Sequence, residues 1–442
     1  MNRYKEYINK MIDKNKDKIK KFGTDIYKNP EMGFSESDTH DKVLKVFNEL
    51  GLKVESNLAI TGVKATLHGK YEGPTLAILG EMDGLQCPEH PFSNTETDAA
   101  HICGHHAQLT AMVGASLALV NSKIQNKLHG NIVFMATPAE EYVEIEKRKQ
   151  LKKENKLVYL AGKPELIRIG AFDDIDLSLI THVGTDILNT RFGLGGSANG
   201  FISKNVQFIG KSSHAGGAPE KGRNALQAAN IALNGINAWR ESFNDEENIR
   251  VHPIITKGGS HVNIVPDTVN MKTYVRAKTL DSIIDTNKKI NQTLKAGALA
   301  MGCKVVIEDT PGFLPQKSSK KLVEVIRENA NLLVNKEQIV NNGHFKGSSD
   351  MGDITSLMPG TIIEVGGVKG APHTKEFDIV DKDAAYVEPA RLLAMTAIDL
   401  MVNKTYKTKD IIESYQPNLK KSDYIKLVES FFKEDTYDYF TF

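Results

Sequence analysis

The sequence predicts an α/β protein, in which an open, mostly parallel sheet with flanking helices is interrupted by an inserted α+β domain. The chain has 442 residues, more than one average domain needs. In its first and last parts, short apolar runs bounded by turn residues alternate with helical segments, the order expected of a parallel sheet. Between these parts the order is strand, helix, strand, strand, helix, strand, which is that of a ferredoxin-like unit.

The first part of the chain begins with two predicted helices. An amphipathic, lysine-rich helix is expected over 4–22, and a second helix over Ser37–Leu50 is ended by Gly51. A third helix begins at about His106. The buried strands of the sheet are predicted by apolar runs, namely TLAIL (75–79), NIVFMAT (131–137), LSLIT (177–181) and TIIEVGG (361–367).

The inserted domain is placed at 197–310, so the chain divides into 1–196, 197–310 and 311–442. Its predicted elements are a strand in FISKNVQFIG, a helix over 224–243, strands in IRVHPIITKGG and TVNMKTYVRAKT, a helix in LDSIIDTNKKINQTLKAGALAMG and a strand in CKVVIED. The sheet then resumes and ends near Asn403.

Two charged segments have no predicted function. The run EEYVEIEKRKQLKKENKLVYL (140–160) is dense in both charge signs and is interpreted as a solvated helix. The segment after Asn403, which ends in an aromatic and acidic tip, is interpreted as a solvated or packing tail.

The composition excludes several classes of protein. The net charge is +1, so no overall field favours nucleic acid or an anionic membrane. No run reaches the roughly 18 apolar residues of a transmembrane helix, and the charged N-terminal segment lacks the apolar core of a signal peptide. Three cysteines argue against a disulfide framework. We expect a cytoplasmic protein that binds neither nucleic acid nor membrane.

Cysteine, histidine and carboxylate side chains follow the predicted strands. The motif DAAHICGHHAQL (98–109) precedes the third helix and contains His101, Cys103, His105 and His106. The residues that follow strands are Glu81 and Asp83, the pair Glu140–Glu141, His182 and His373. Because the carboxyl ends of parallel strands meet at one edge of a sheet, these side chains are expected to converge there.

A site of this composition is typical of a transition metal. Cys103 and His105 could bind one ion or bridge two. Adjacent glutamates cannot both reach one metal from regular backbone without strain, so one is expected to be a ligand and the other a general base. That division suits metal-assisted hydrolysis. A cysteine hydrolase with Cys103 as nucleophile is the alternative, but it leaves the glutamate pair, His182 and His373 without a role.

The order of the motifs resembles that of the aminoacylase/carboxypeptidase superfamily of dinuclear metallohydrolases. The motifs that carry this resemblance are HICGH, PAEE, THVGT, SSHAGGAPEKGRNAL, HVNIVPD, VRA and APHT. NPEMGFSES (29–37), GEMDGL and GSSDMGDIT are similar to the branch that contains p-aminobenzoyl-glutamate hydrolase and the indoleacetyl-amino-acid hydrolases. The resemblance covers about residues 20–403.

The resemblance implies a zinc-aminopeptidase-like sheet in 1–196 and 311–442, and a dimerisation or lid domain in 197–310. It implies an amidohydrolase that cleaves the amide bond of an N-acyl amino acid or a dipeptide-like substrate. It also implies two divalent ions per subunit, Mn²⁺ or Zn²⁺, and a homodimer or a dimer of dimers.

The resemblance also assigns roles to residues of this chain. The implied metal ligands are Cys103, His105, Glu141, His182 and His373. Glu140 would be the general base, and His214 would stabilise the oxyanion, from the partner subunit. Asn263 and Arg276 would hold the substrate's carboxylate, while Asp83 and His101 would orient ligands.

The chain departs from the family pattern at two places. His106 stands where the family has Asp or Asn, and it could be an extra ligand. Tyr142 and the charged run follow the glutamate pair where the family has glycines. A relative that binds a metabolite or partner without catalysis therefore remains the alternative function.

Overall fold

The computed structural model describes residues 3–184, 190–402 and 406–440. These residues form two compact units. The first unit comprises the described residues within Met1–Ser197, Lys317–Gly343 and Asp353–Leu419. The second unit comprises those within Ala198–Gln316, His344–Gly352 and Lys420–Phe442.

The helices of the described chain are α1 (Arg3–Lys28), α2 (Ser37–Glu49), α3 (His105–Asn121), α4 (Ile145–Lys153), α5 (Gly162–Arg168), α6 (Ala225–Trp239), α7 (Leu280–Ala300), α8 (Lys320–Ala330), α9 (Met351–Thr355), α10 (Glu388–Met401), α11 (Tyr406–Ser414) and α12 (Lys421–Ser430). The longer strands are β1 (Lys53–Leu58), β2 (Gly62–His68), β3 (Tyr71–Glu81), β6 (His129–Thr137), β7 (Leu177–Val183), β10 (Gly200–Ile209), β12 (Ile254–Lys257), β13 (Thr268–Ala277), β14 (Lys304–Pro311), β18 (Gly360–Val365) and β21 (Lys433–Asp438). The shorter strands are β4 (Leu85–Gln86), β5 (Ala99–Ala100), β8 (Phe192–Leu194), β9 (Ser197–Ala198), β11 (Arg250–Val251), β15 (Gln316–Lys317), β16 (Ile339–Asn341), β17 (His344–Phe345), β19 (Val368–Lys369) and β20 (Asp378–Ile379).

The first unit is built on an eight-stranded sheet with the order β1-β2-β6-β3-β7-β18-β8-β16. The neighbours β6, β3, β7 and β18 run parallel to one another in its centre. Strands β1 and β2 add an antiparallel pair at one side. These central strands are the four apolar runs of the sequence, and the predicted fold class is confirmed.

Helix α3 is the central helix of the first unit. Residues on all of its faces are buried, as expected of a helix that is apolar all round. It packs against α1, α10 and the strands β3 and β7. Its first residue is His105, so the fold presents that imidazole at the end of the helix nearest the cysteine motif.

The second unit contains an antiparallel sheet with the order β11-β13-β10-β14-β21, and β12 also pairs with β13. Helices α6 and α7 pack on one another and on this sheet. Asn224 caps α6 by accepting hydrogen bonds from the backbone N–H groups of Leu226 at 2.9 Å and Gln227 at 3.1 Å. The elements from β10 to β14 have the predicted ferredoxin-like order.

The C-terminal segment is more ordered than the sequence suggests. Strand β21 pairs antiparallel with β14 over the register Lys304↔Asp438 to Asp309↔Lys433. It therefore adds an edge strand to the sheet of the second unit, which the prediction of a solvated or packing tail did not include.

The run at 140–160 also differs from its prediction as a solvated helix. Only Ile145–Lys153 is helical there, and the side chain of Arg148 is buried with 1% exposure. Within the described residues, no helix combines the length and the apolar character that crossing a membrane requires.

Candidate metal centre

The residues of the candidate site meet because four parallel strands end at one edge of the sheet. Strand β3 ends at Glu81, and β6 ends just before the segment that carries Glu140 and Glu141. His182 lies inside β7, one residue before its end, whereas the sequence placed it after the strand. His373 lies beyond β18, where its backbone N–H donates to the carbonyl of Ile102 at 2.9 Å.

The described residues contain three groups of donors that could hold a metal ion. The donor atoms within each group lie within 4.8 Å of one another. The groups are Cys103 with His105 and His182, Cys103 with Glu141 and His373, and Glu81 with His105 and Glu140. Because Cys103 and His105 each belong to two groups, the three groups form one continuous cluster.

Cys103 lies between two imidazoles. Its Sγ is 3.3 Å from Nε2 of His373 and 3.5 Å from Nε2 of His182. The same nitrogen of His373 is 3.2 Å from Oε1 of Glu141. A thiol, two imidazoles and a carboxylate thus face one another from four segments that are distant in sequence.

Asp83 orients His105. The Nδ1 atom of His105 lies 3.0 Å from Oδ1 of Asp83 and 2.9 Å from the Asp83 carbonyl oxygen. This arrangement places the ring proton on Nδ1 and leaves the Nε2 lone pair free to bind a cation. The other carboxylate oxygen of Asp83 accepts a hydrogen bond from the backbone N–H of Glu141 at 2.9 Å. One buried carboxylate therefore positions two of the proposed ligands.

Gly104 allows the turn that precedes His105. Its φ is 80°, and a Cβ placed there would lie 2.3 Å from a methyl group of Val183. Both the left-handed backbone and the close approach to β7 favour glycine. The motif Cys-Gly-His therefore brings the thiol and the imidazole to the same side of the sheet.

Glu81 belongs to the cluster, although no specific role was predicted for it. Its Oε2 lies 3.2 Å from Nε2 of His105. Lys163 donates to Oε1 at 2.5 Å, and the side-chain amide of Gln108 donates to Oε2 at 2.8 Å. Burial opposes ionisation of Glu81, but the Lys163 ammonium holds the pKa of that carboxyl below its usual value. Nothing in the sequence distinguishes Lys163 from the many other lysines of the chain.

The two glutamates of the pair point into different groups. Ala139, just before them, has φ 50°, a conformation that non-glycine residues rarely adopt. Glu140 faces Glu81 and His105, whereas Glu141 faces Cys103 and His373. Both glutamates are buried. The backbone turn thus separates the two carboxylates, as a division between base and ligand requires.

A divalent cation fits the donor set. Nε2 of His105 and Oε1 of Glu141 are buried atoms without a hydrogen-bond partner. Burial, together with the Glu141 carboxylate, raises the pKa of the Cys103 thiol well above its usual value. A cation would compensate these buried groups and favour the thiolate. The site therefore has the softness and the charge that suit a divalent transition metal.

His106 packs as an aromatic residue. Its ring stacks on Tyr27 with a centroid distance of 4.5 Å and meets Tyr386 edge-on at 5.8 Å. Burial lowers its pKa well below the usual value. It belongs to none of the metal-binding groups found among the described residues. Its neighbour His101 is also buried, 5.2 Å from the His106 ring, and burial lowers the pKa of His101 to about 3.

The remaining predicted site residues lie in the second unit. The backbone N–H of Ala215 donates to the Asn263 carbonyl at 2.9 Å, so the loops of His214 and Asn263 are adjacent. Arg276 lies on β13, where it donates to Oγ of Ser348 at 2.7 Å. Its guanidinium also lies 4.8 Å from the ring centroid of Phe201.

Glu36 is a buried carboxyl beside the glutamate pair. Its Oε1 accepts a hydrogen bond from the backbone N–H of Ala139 at 2.9 Å, and its Oε2 accepts from the Thr61 hydroxyl at 2.6 Å. Burial, reinforced by the negative charge of Asp83, raises the pKa of Glu36 to about 7. The folded protein thus retains a proton on Glu36 that the unfolded chain loses at lower pH.

We expect Glu36 to make stability fall as the pH rises. Because its folded pKa of about 7 lies above the usual 4.5, its contribution is fully present below the unfolded pKa and is lost as the pH rises through 7. Relative to Glu36→Gln, the wild-type free energy of unfolding should fall by about 3 kcal/mol between pH 4.5 and pH 8. Urea denaturation of both metal-free proteins measures this difference. A difference that stays constant with pH would contradict the assignment.

Comparisons with known proteins agree with this architecture. Residues 196–301 match a family described as the peptidase dimerisation domain. The Xaa-Arg dipeptidase of Homo sapiens is 29% identical over 348 residues, which cover 74% of this chain and 72% of that relative. One of the polypeptides of the p-aminobenzoyl-glutamate hydrolase of Escherichia coli is 26% identical over 304 residues, covering 66% of this chain and 58% of that relative.

A solved structure shares the fold. The crystal structure of a dinuclear metal binding peptidase of the M20 family from Bacillus subtilis superposes with a TM-score of 0.67 at 18% identity. The superposition covers 87% of this chain and 98% of that structure. At this identity the likeness concerns the fold, and the chemistry has to be argued from the residues of the cluster.

Proposed function

Because this chain belongs to the aminoacylase/carboxypeptidase superfamily of metallohydrolases, we propose that the thiol, imidazole and carboxylate cluster is the catalytic centre of a metal-dependent amidohydrolase. The observation that carries this proposal is the convergence at one sheet edge of donors from five distant segments, with Glu140 beside them. The enzyme cleaves the amide bond of an N-acyl amino acid or of a dipeptide-like substrate.

The names of the relatives support this class of substrate. One is named for dipeptides that contain arginine, and another for p-aminobenzoyl-glutamate. In both compounds an amino acid is joined to the rest of the molecule through an amide bond. This shared feature defines the substrate class and leaves both the acyl group and the amino acid open.

The ligands proposed for the metals are Cys103, His105, Glu141, His182 and His373. We propose two divalent ions per subunit, Zn²⁺ or Mn²⁺. The thiol and the imidazoles favour zinc, whereas the carboxylate also suits manganese. When bound, such ions polarise an amide carbonyl and increase the acidity of water.

Glu140 is the proposed general base. Its carboxylate takes a proton from the attacking water, so that the water oxygen can form a bond to the amide carbon. The protonated Glu140 then gives this proton to the amine nitrogen as the C–N bond breaks. Asp83 fixes the backbone N–H of Glu141 and the ring of His105, and so keeps the ligands in place while the proton moves.

Residues of the second unit are proposed to bind the substrate. Arg276 presents a guanidinium, and Asn263 an amide, for the substrate's carboxylate. His214 is proposed to donate to the oxyanion from the partner subunit of a homodimer. The match of 196–301 to a peptidase dimerisation domain supports such a dimer.

Two further points concern Cys103 and the other cysteines. A cysteine hydrolase is disfavoured, because burial raises the pKa of the Cys103 thiol and so suppresses the nucleophilic thiolate. Cys87, Cys103 and Cys303 are all free, which supports our proposal of a cytoplasmic location, where thiols stay reduced.

A panel of N-acyl amino acids and dipeptides tests the proposed function. Purified protein reconstituted with Zn²⁺ or Mn²⁺ should hydrolyse at least one class of compound, lose activity with a chelator and regain it with metal. Elemental analysis should approach two ions per chain. Cys103→Ala should lower this metal content, whereas Cys87→Ala should not, since Cys87 is a buried cysteine that belongs to none of the described ligand groups.

The outcomes separate the alternatives. Metal binding without hydrolysis of any compound in the panel would favour the non-catalytic alternative. Activity that survives removal of all metal would exclude a metallohydrolase. Equal metal content in the Cys103 and Cys87 variants would remove Cys103 from the proposed ligand set.

A further inference from the structure

The charged run at 140–160 sends one cation into the interior of the first unit. Arg148 lies on α4 and is 1% exposed, while its neighbour Lys147 is on the surface. A fully buried guanidinium is costly unless its donors are matched by acceptors. The contacts of Arg148 therefore indicate what this run does.

The guanidinium joins the two ends of the run. Its Nη2 donates to the Glu141 carbonyl at 2.5 Å, and its Nη1 donates to the Leu160 carbonyl at 2.7 Å. Nη1 also lies 3.5 Å from the Ala139 carbonyl. The planar fork of arginine suits several fixed acceptors at once, which a lysine ammonium cannot reproduce.

The pocket that receives Arg148 is shaped by the motif NPEMGFSES. The guanidinium carbon lies 5.2 Å from the centroid of the Phe34 ring. A Cβ on Gly33 would lie 2.7 Å from Nη2 of Arg148 and 3.0 Å from the Cα of Ala139. Gly33 thus leaves the space in which the guanidinium and the backbone before the glutamate pair meet.

These contacts fix the backbone of Glu141 on both sides of its Cα. Asp83 holds its N–H at 2.9 Å, and Arg148 holds its carbonyl. The turn at Ala139, with its φ of 50°, directly precedes the pair. Backbone in this region persists where surrounding contacts determine it.

We propose that Arg148 is a positioning residue, which locks the backbone of the Glu140–Glu141 pair and thereby sets the two carboxylates against Cys103 and His105. The charged run is then a strap that carries this cation to the site. This inference rests on the proposed function, since it takes Glu140 as the base and Glu141 as a ligand.

The first test replaces Arg148 with lysine, which keeps the charge and removes the fork. Zn²⁺ affinity, measured by competition with a chelator, should fall about 10–100-fold, the range found when residues that orient metal ligands are changed. The value of kcat should fall in the same range, while KM changes little. The Co²⁺-substituted variant should also show altered visible absorption, because the ligand geometry changes.

Arg168→Lys is the matched control. Arg168 is a partly exposed arginine near the end of the same region, and it pairs with Glu165 at 2.6 Å. Its replacement should leave Zn²⁺ affinity, kcat and the Co²⁺ spectrum unchanged. An equal effect of the two replacements would indicate a general loss of stability and would contradict the proposal.

Gly33→Ala provides a second, independent variant. It adds one methyl group against the guanidinium and leaves every proposed ligand intact. It should shift Zn²⁺ affinity and kcat in the same direction as Arg148→Lys. If Arg148→Lys did not fold, Gly33→Ala would decide alone, and failure of both to fold would assign Arg148 a purely structural role.

Wild-type measurements separate this inference from the proposed function. A wild-type protein that bound no Zn²⁺ would contradict the proposed function itself. If instead wild type binds Zn²⁺ and the folded Arg148→Lys and Gly33→Ala variants bind it equally well, the role of Arg148 is wrong and the proposed function stands.

Discussion

Glu140→Gln should lower kcat by roughly 10²–10⁴-fold, the contribution of a general base, and leave the metal content near that of the wild type. Glutamine keeps the size and hydrogen-bonding shape of the side chain but cannot accept the proton of the attacking water. Steady-state kinetics on the best substrate of the panel, together with elemental analysis, measure both quantities.

Glu141→Gln is the matched control for Glu140→Gln. Glu141 lies 3.2 Å from Nε2 of His373 and shares a donor group with Cys103, so its replacement should disturb metal binding first. The structure also places Glu140 near Glu81 and His105, which makes the comparison necessary. If Glu140→Gln lost metal and Glu141→Gln retained it, the two roles would be reversed.

His214→Ala should lower kcat by roughly 10²–10³-fold, the effect of removing one oxyanion donor, in a protein that remains folded and fully metallated. The backbone N–H groups of Gly216 and Gly217 donate to Nδ1 of His214 at 3.2 and 2.9 Å. In the neutral ring Nδ1 is therefore the acceptor and Nε2 carries the proton. Because the side chain is exposed, this Nε2–H is available to an oxyanion.

Mixing two inactive proteins tests whether His214 serves the partner subunit. Glu140→Gln and His214→Ala are combined under conditions that allow subunit exchange. If His214 acts across a dimer, each heterodimer contains one site with both defects and one site with neither, so part of the activity should return. Exchange demonstrated by a labelled subunit, without recovery of activity, would place His214 in its own subunit's site or outside catalysis.

The strands and their order could be predicted from the sequence. Runs such as TLAIL and NIVFMAT are apolar throughout because central parallel strands are buried on both faces, and they became β3 and β6. The convergence of Cys103, Glu141 and His373 followed from the rule that parallel strands end at one edge. Element ends were less accurate. Strand β7 continues through His182 to Val183.

Several partners of the site could not be predicted. Lys163 and Arg148 stand among many lysines and arginines, and nothing in their local pattern shows that they are buried. His106 occurs in a histidine-rich motif that suggests a ligand, yet it stacks on Tyr27, which lies 79 positions earlier in the chain. Such contacts depend on which distant side chains the fold brings alongside, and periodicity carries no information about that.

The sequence by itself determined the fold class and the inventory of donors that meet at one edge of the sheet, because apolar periodicity and the order of the elements specify a topology. Only the tertiary structure decided how the donors are oriented. Asp83 turns the ring of His105, Lys163 holds Glu81, and Arg148 holds the backbone of Glu141. Each of these contacts joins segments whose separation in the chain is bridged by folding, and a buried charge is stabilised only where its partner actually lies.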